Sequence, residues 1–414
     1  MSYDGWLEYN GVELVNLSRT AQLAETLGID SVWITPSQVS WIQAALGESG
    51  YSSVSNAPWY DPEFPASGEF AGIIPLGFPG LDDSTTEAST TEYITDGGRS
   101  GKQRNATLTV VASVAIVAST DRGAEYGKRW MTRLLRNRSA LTFCAGAPLR
   151  YFRYESATAP IVHRREVRLT RGTSITRKRV TDCAAIWLAT FTLTCDDPYE
   201  YGEAQTVVED LGGTPTGDVT GSGSLALVQM SCPVYDYTPI YDPLYPALVP
   251  SPTAPDFYPE GWGIFDGMTF DRFWARITSP EPSTLDVVPR FILTTDTDAR
   301  MVRVSVWPDA SSISDQCDPL FSAVVSYLPA NTNFYIDAEQ QVAYVWNGSS
   351  EAVRRTDSLV YAPNAEPLQW TAFNDPDGLL VTLDVFASES GGGSFGFEGG
   401  GTVRASLALI PKSD

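Results

Sequence analysis

The chain is poor in the residues that most enzymes use: its 414 residues hold one His and five Cys. His163 alone cannot build a multi-His metal site, and any Ser-His or Cys-His nucleophile would have to run through it. Cys144, Cys183, Cys195, Cys232 and Cys317 are odd in number and form no C-x-x-C pair, which argues against a full intrachain disulfide framework and reads as buried apolar thiols. Long hydrophobic runs are missing as well. The longest, Thr107 to Ala118, falls short of the ~20 residues that span a bilayer, and its Val and Ile content reads as a buried strand. The acidic start MSYDGWLEYNGVEL lacks the basic residues and apolar core of a signal peptide. No targeting or membrane-inserted segment is expected, so sequons such as Asn347-Gly348-Ser349 say nothing about glycosylation. With 43% hydrophobic and 11% aromatic residues, the composition is that of a folded protein long enough for more than one core.

Charge is present in quantity but unevenly placed. The net charge is -22, from 50 Asp plus Glu against 28 Lys plus Arg. Between Arg99 and Arg179, however, eighteen basic residues face four acidic ones, a local +14 inside a remainder of -36. Such a block reads either as a nucleic-acid surface or as a surface that docks on acidic partners, including copies of the same protein. Tyr151, Phe152 and Tyr154 interleave with Arg150 and Arg153, but the acidic remainder opposes a polyanion. Protein-protein packing is the preferred reading, with no stable nucleic-acid binding.

Each motif with chemical content is incomplete. In GGRSGKQ, Gly97 to Gln103, Asp96 stands where a P-loop needs Gly, and Gln103 replaces the Ser or Thr that reaches magnesium. Asp296-Thr297-Asp298 opens like a calcium loop, yet Arg300 and Trp307 occupy ligand positions. There is no G-x-S-x-G elbow, and the adjacent pairs Asp82-Asp83 and Asp196-Asp197 point apart if extended. His163, in IVHRRE, reads as a surface or hydrogen-bonded structural residue. No catalytic, cofactor or metal site is expected.

Periodicity predicts a mainly β chain in three parts. Residues 1–205 begin with the short strands of WLEYNGVELVN, with Asn10-Gly11 as a tight turn, and then DSVWIT. A Gly/Pro/Ser/Thr-rich loop insertion follows over about 47–101, in which Asp82 to Thr91 reads as a loop. Asp121 to Arg138 reads as a helix capped by Thr120 or Asp121, with Tyr126, Trp130, Met131, Leu134 and Leu135 on its apolar face and Arg129, Arg133, Arg136 and Arg138 mostly outside it. LTFCA, LRYFRYE, REVRLTRG, TRKRVTD and AAIWLATFTLTC read as successive strands, the last with Trp187, Ala189, Phe191, Leu193 and Cys195 on one face. Residues 206–270 read as an extended arm or linker. Tyr235, Tyr237, Tyr241 and Tyr245 share alternate positions with prolines that exclude a helix, and the aromatics suit packing on the same or a neighbouring subunit. Residues 271–414 read as eight strands of a β-sandwich or jelly roll, with GGGSFGFEGGG, Gly391 to Gly401, linking the last two. The eight are RFILTTD, RMVRVSVW, LFSAVVSYL, TNFYIDA, QVAYVWNG, LQWTAF, GLLVTLDVFA and TVRASLALI.

Four stretches together resemble a known family. They are Trp6 to Asn16 with Ser18-Arg19-Thr20, Ala189 to Glu203 (ATFTLTCDDPYEYGE), the arm YDYTPIYDPLYPALVP, and Asn333 to Gly348 (NFYIDAEQQVAYVWNG). They are similar to the distal tail proteins, or minor tail proteins, of long-tailed phages, most of all those infecting actinobacteria. The resemblance implies a structural virion protein at the distal end of the tail, with no enzymatic activity. Its N-terminal part would be a β-barrel-like domain with one helix, forming a homohexameric ring. The C-terminal part would be a galectin-like sandwich. Implied partners are the tail tube protein, the tail hub, and the tape measure and other minor tail proteins. An alternative is a receptor-contacting adhesin whose sandwich binds a cell-envelope glycan, with Trp307, Trp346 and Trp370 as a stacking platform, although tryptophans in a sandwich are more often core. A tail-borne glycan hydrolase would need a carboxylate pair across a cleft. The candidate assembly residues are Arg129, Arg133, Arg136, Arg138, Tyr235, Tyr237, Tyr241 and Tyr245. If complementary charge holds copies together, assembly or thermal stability should weaken in high salt and on reversing Arg133, Arg136 and Arg138 to Glu. Unchanged behaviour in both measurements would remove the electrostatic part.

Overall fold

A computed structural model describes residues 2–29, 51, 53–83, 86–92, 98–136, 146–153, 161–181, 183–229, 269–278, 286–314, 319–346, 354–362, 367–375, 377–386 and 402–413. The chain is mainly β and divides into two compact units, Met1–Glu203 with Ser413–Asp414, and Ala204–Lys412.

The first unit contains β1 (Ser2–Tyr9), β2 (Val12–Asn16), α1 (Leu17–Thr26), β3 (Phe70–Gly77), β4 (Thr86–Glu92), β5 (Gly98–Asn105), β6 (Leu108–Ala118), α2 (Asp121–Arg136), β7 (Ala147–Arg153), β8 (Ile161–Val180), β9 (Ala185–Cys195) and β10 (Glu200–Tyr201). Asn10 (φ 56°) and Gly11 (φ 75°) turn β1 into β2 with positive φ at both positions, the geometry that matches strand twist. Hydrogen bonding runs β2-β1-β7-β8-β9-β6-β3, all antiparallel. The ends of this path are not paired to each other, so the expected barrel is an open, curled sheet. Its inner face is apolar: Trp187, Ala189, Phe191, Leu193 and Cys195 of β9 are buried and alternate with half-exposed Ile186, Leu188, Thr190, Thr192 and Thr194, the alternation that the sequence predicts.

Several expectations need correction. There are two helices among the described residues, not one. Asn16 caps α1 by accepting from Arg19 N at 3.0 Å, and Thr20, Ala21, Leu23 and Ala24 are buried. REVRLTRG and TRKRVTD are one strand of 20 residues, β8, because Gly172 and Thr173 pass as a bulge between the pairs Arg171–Thr192 and Ser174–Thr190 instead of turning the chain. The region about 47–101 is no simple inserted loop. Trp59 is buried between Phe70 and Trp130 at ring distances of 4.8 and 5.7 Å, and Thr86–Glu92 pairs with Gly98–Asn105 as a hairpin. Cys195 is buried, and burial pushes its thiol up to about 12, but Cys183 is exposed in the turn between β8 and β9. DSVWIT, LTFCA and the remaining cysteines lie outside the described residues.

The second unit is a sandwich of two antiparallel sheets. Its strands are β11 (Gln205–Leu211), β12 (Thr216–Gly217), β13 (Val219–Gln229), β14 (Thr269–Ile277), β15 (Asp286–Thr295), β16 (Ala299–Pro308), β17 (Phe321–Leu328), β18 (Asn333–Asp337), β19 (Val342–Trp346), β20 (Arg354–Arg355), β21 (Val360–Tyr361), β22 (Leu379–Phe386) and β23 (Val403–Ser413). One sheet runs β12-β11-β23-β15-β18-β19-β20 and the other β13-β14-β22-β16-β17-β21. Phe291 and Phe321 stack across the core at 6.0 Å. Residues 206–229, read as the start of the arm, fall mostly in β11, β12 and β13, because Val207, Val208 and Leu211 bury on the sandwich. LQWTAF makes a single isolated bridge, Phe373 to Val287.

The sandwich also buries charge. Asp384 lies between Arg272 (2.8 and 3.1 Å) and Arg303 (Nε at 2.7 Å), with all three side chains fully inaccessible. Burial opposes the charge of Asp384, yet Arg303 and Arg272 outweigh that and hold its carboxyl below the ordinary value. A depressed carboxyl contributes stability above its unfolded pKa and loses it as pH falls through the folded one. Asp384→Asn should therefore cost about 3–5 kcal/mol at neutral pH, by leaving two buried arginines uncompensated. The gap from wild type in thermal melts should narrow as pH drops into the carboxylate range; an equal gap at all pH would contradict this account.

Candidate functional site

The sequence places its assembly candidates on the basic block, and α2 shows how that block is built. Thr120 caps the helix by accepting from Gly123 N at 3.0 Å, and Arg122 pairs with Glu69. Gly123, Ala124, Gly127, Met131, Leu134 and Leu135 face the core. Asp121 accepts from Trp187 Nε1 at 2.9 Å, and Tyr126 donates to Trp59 O at 2.7 Å. These bonds fix the rotation of α2, so its opposite face must carry the cations.

There Lys128, Arg129, Thr132, Arg133 and Arg136 line a shallow depression of roughly 380 Å³. The structure brings Arg129, Arg133 and Arg136 together on this face. Arg138, Tyr235, Tyr237, Tyr241 and Tyr245 lie outside the described residues. Lys128 and Thr132 were not singled out from sequence, although their spacing of four residues from Thr132 and Arg136 is the helical signal for a shared face. Thr132 donates to Lys128 O at 2.8 Å and lies 3.1 Å from Thr173 of β8. Arg129 pairs with Glu125 at 3.2 Å but is 76% exposed, a pair that adds only a few tenths of a kcal/mol. Arg133 and Arg136 occupy the last turn, where the helix dipole favours cations. The face is suited to attracting an anionic surface.

The other sequence candidates resolve into structural roles. His163 packs its ring 5.8 Å from Tyr201. Tyr201 donates to Asp197 at 2.9 Å, Arg165 lies 3.5 Å from the same carboxylate, and Arg168 pairs with Asp196. The P-loop-like stretch lies mostly in β5, not in a loop before a helix. Asp298 accepts from Tyr327 and Ala330 N, and Asp296 from Thr402 N, each at 2.8 Å. Among the described residues no three His, Cys, Asp or Glu are grouped to hold a metal, and no helix is long and apolar enough to cross a membrane. Trp307 is buried and donates to Thr382 at 3.0 Å, whereas Trp346 is half-buried beside Tyr335 in the opposite sheet. The three tryptophans therefore form no common platform.

No family model matches the chain, and no curated protein matches it. Among solved structures it is similar to the Dit protein (gp 19.1) of phage SPP1, described as a paradigm of the hub adsorption apparatus in phages infecting Gram-positive bacteria. Identity is 8%, coverage 84% of this chain and 96% of that one, and TM-score 0.40. A chain of the phage P2 baseplate in its activated conformation with calcium gives 10% identity, 83% and 91% coverage and TM-score 0.41. The infectious bursal disease virus Gx strain gives 9% identity, 83% and 57% coverage and TM-score 0.20.

The placement of the basic face depends on close contact at Gly127, where an added Cβ would meet the buried Phe70 ring at 2.4 Å. Ala gains about 1 kcal/mol of helix propensity over Gly, but overpacking costs about 1–3 kcal/mol. Gly127→Ala should lower the melting temperature; a rise would show that Phe70 yields freely.

Proposed function

We propose that the chain is a structural component of a phage tail tip, a distal tail protein whose copies form a ring, probed as a homohexamer, joining the tail tube to the hub and receptor-binding parts. The observation that carries this reading is the meeting of two sequence stretches that bear the family resemblance and lie far apart in the chain. Glu8, from the opening stretch, and Glu203, from the closing one, both pair with Arg150 of β7, at 3.2 and 2.9 Å. Tyr9 of the opening stretch also donates to Val167 O at 3.1 Å. Two of the four stretches that bear the resemblance thus pack together within the first unit.

Two further features support an assembly role. The hairpin β4-β5 pairs only with itself, and an isolated two-stranded sheet is marginal in water, so a neighbouring subunit would stabilise it. The basic face of α2 offers an electrostatic contact of the kind a heterologous ring interface needs. On this reading the first unit forms the ring, and the sandwich begins with β11 to β13 rather than after the arm.

A second reading, an adhesin binding a host-envelope glycan, draws on Tyr335 and Tyr344, which stack at 4.8 Å with Trp346 beside them. It would require the full chain to bind host cell-wall polysaccharide and to lose that binding with Trp346→Ala.

Negative-stain microscopy of the recombinant chain should show rings of cyclic symmetry, and antibody against it should label the distal end of the tail on virions. Label on the capsid, or none on intact particles, would overturn the assignment.

A further inference from the structure

The outer face of the first unit carries an arrangement that residue spacing conceals. In a regular strand Arg168 would face away from Arg171, since the two are three residues apart. In β8 the pairing sets Arg168 opposite Thr194, Arg171 opposite Thr192, Arg177 opposite Leu188 and Arg179 opposite Ile186. Directly opposed residues share a face. Those four β9 residues all lie on its outer face, alternating with the buried side chains.

Register shifts between Leu169 and Arg171, Arg171 and Ser174, and Ile175 and Arg177 bring this about. Each places one extra residue in β8 and reverses its alternation. Four guanidinium groups therefore share one face. Leu169 and Ile175 turn inward to the core, and Lys178 lies on the inner side, 3.5 Å from the Trp187 ring.

Part of the same outer face is already sealed. Ala21 and Ala24 of α1 cluster with Ala115 and Val117 of β6, and Ile186 and Leu188 pack against them. Beyond these rows, β6 sets Ser113 beside Thr190, Val111 beside Thr192 and Thr109 beside Thr194. Val111 is 43% exposed there. Arg168 is neutralised by Asp196, whereas Arg171, Arg177 and Arg179 have no carboxylate partner among the described residues. Like charges on one face repel, and among the described residues no carboxylate pairs with Arg171, Arg177 or Arg179 to offset that repulsion. The exposed rows consist of hydroxyls, one valine and guanidinium groups, and they offer no aromatic ring on which a nucleic-acid base would stack.

We propose that this face, centred on Arg171, Arg177 and Arg179, receives an acidic surface of a second copy of the chain. The proposal rests on the ring reading above and names the contact that would build it. The chain supplies the counter-charge, because everything outside the basic block carries -36. Asp82 and Asp83 are exposed in the turn after β3, next to Leu81, whose carbonyl accepts from Arg164 at the start of β8 at 3.0 Å. Asp4 lies close enough to Asp82 for its carboxyl to be raised, first by burial and then by that neighbour. A contact from the β8 face of one copy to the Asp82-Asp83 corner of the next joins two different surfaces, as cyclic closure demands.

The test compares full-length proteins by light scattering coupled to size-exclusion chromatography, in low and high salt, with thermal melts as the folding control. Wild type should assemble in low salt and assemble less in high salt. R171E/R177E/R179E should weaken assembly at least tenfold without lowering the melting temperature, and D82K/D83K should do the same. A chain carrying both sets should recover assembly, since each contact then meets with its charges exchanged. R129E/R133E/R136E on α2 should weaken assembly less than the β8 set. If the β8 reversal unfolds the chain, R171Q/R177Q/R179Q reads the same loss. Wild-type assembly by the β8 variants overturns this contact and leaves the ring reading standing. Failure of the combined variant to recover removes the Asp82-Asp83 counterface. A wild-type chain that stays monomeric at every concentration overturns both. If the β8 variants assemble normally but lose binding to a DNA oligonucleotide that wild type retains, the face belongs to a polyanion instead.

Discussion

The first unit is organised around one buried carboxylate. Glu200 is 1% exposed and contacts Arg164, Arg153 and the Tyr151 hydroxyl. Arg164, equally inaccessible, donates onward to Leu81 O at 3.0 Å and to Pro198 O. Four parts of the chain, the turn after β3, strands β7 and β8, and the turn after β9, are thereby tied to a single acid. Burial and the adjacent Glu200 hold the Tyr151 hydroxyl well above its ordinary pKa, so it remains a proton donor. A buried ion pair of this kind adds little net stability, but losing one partner strands the others at large cost. Its effect is to fix which segments meet. The register of β7 against β8 is set beside it, and from that register follows the path of β8 along β9.

Charge is used in two ways. Inside, Glu200 and Asp384 are each surrounded by arginines, so acids of an acidic chain fix the geometry of its core. Outside, the basic residues of α2 and β8 lie on faces with few carboxylates, while most of the acidic excess belongs to the rest of the chain. Rigid strand and helix scaffolds hold these surface charges in place, which suits contacts between large protein surfaces.

Much of the fold was legible from local pattern. The alternation in β9, the apolar stripe of α2, the Asn10-Gly11 turn and most sandwich strands were read correctly, because each signal repeats over a few residues and half-burial enforces it. The misses share a cause. Helix α1 is short, and two of its four buried residues are alanines with a third being Thr20, so it shows little apolar contrast. Trp59 sits in a Gly/Pro-rich stretch whose composition reads as loop, and only α2 and Phe70 give it a buried place. In the β4-β5 hairpin Ala88 is the one apolar residue besides glycine, so the sequence holds no apolar alternation to read. In the candidate site, helical spacing put Arg129, Arg133 and Arg136 on one face, but it did not show the depression or the contact to Thr173.

The sequence by itself determined the class of the molecule: mainly β, poor in reactive residues, with a basic block inside an acidic chain. Those properties depend on composition and on short-range periodicity. Tertiary structure decided which charges are spent inside and which are displayed. Arg164 and Arg171 look alike in the sequence, yet one is sealed against Glu200 and the other stands on an exposed sheet face. The bulge between Leu169 and Arg171 decides the facing of the latter, and a bulge is defined by the partner strand, so residue spacing in β8 alone does not contain it.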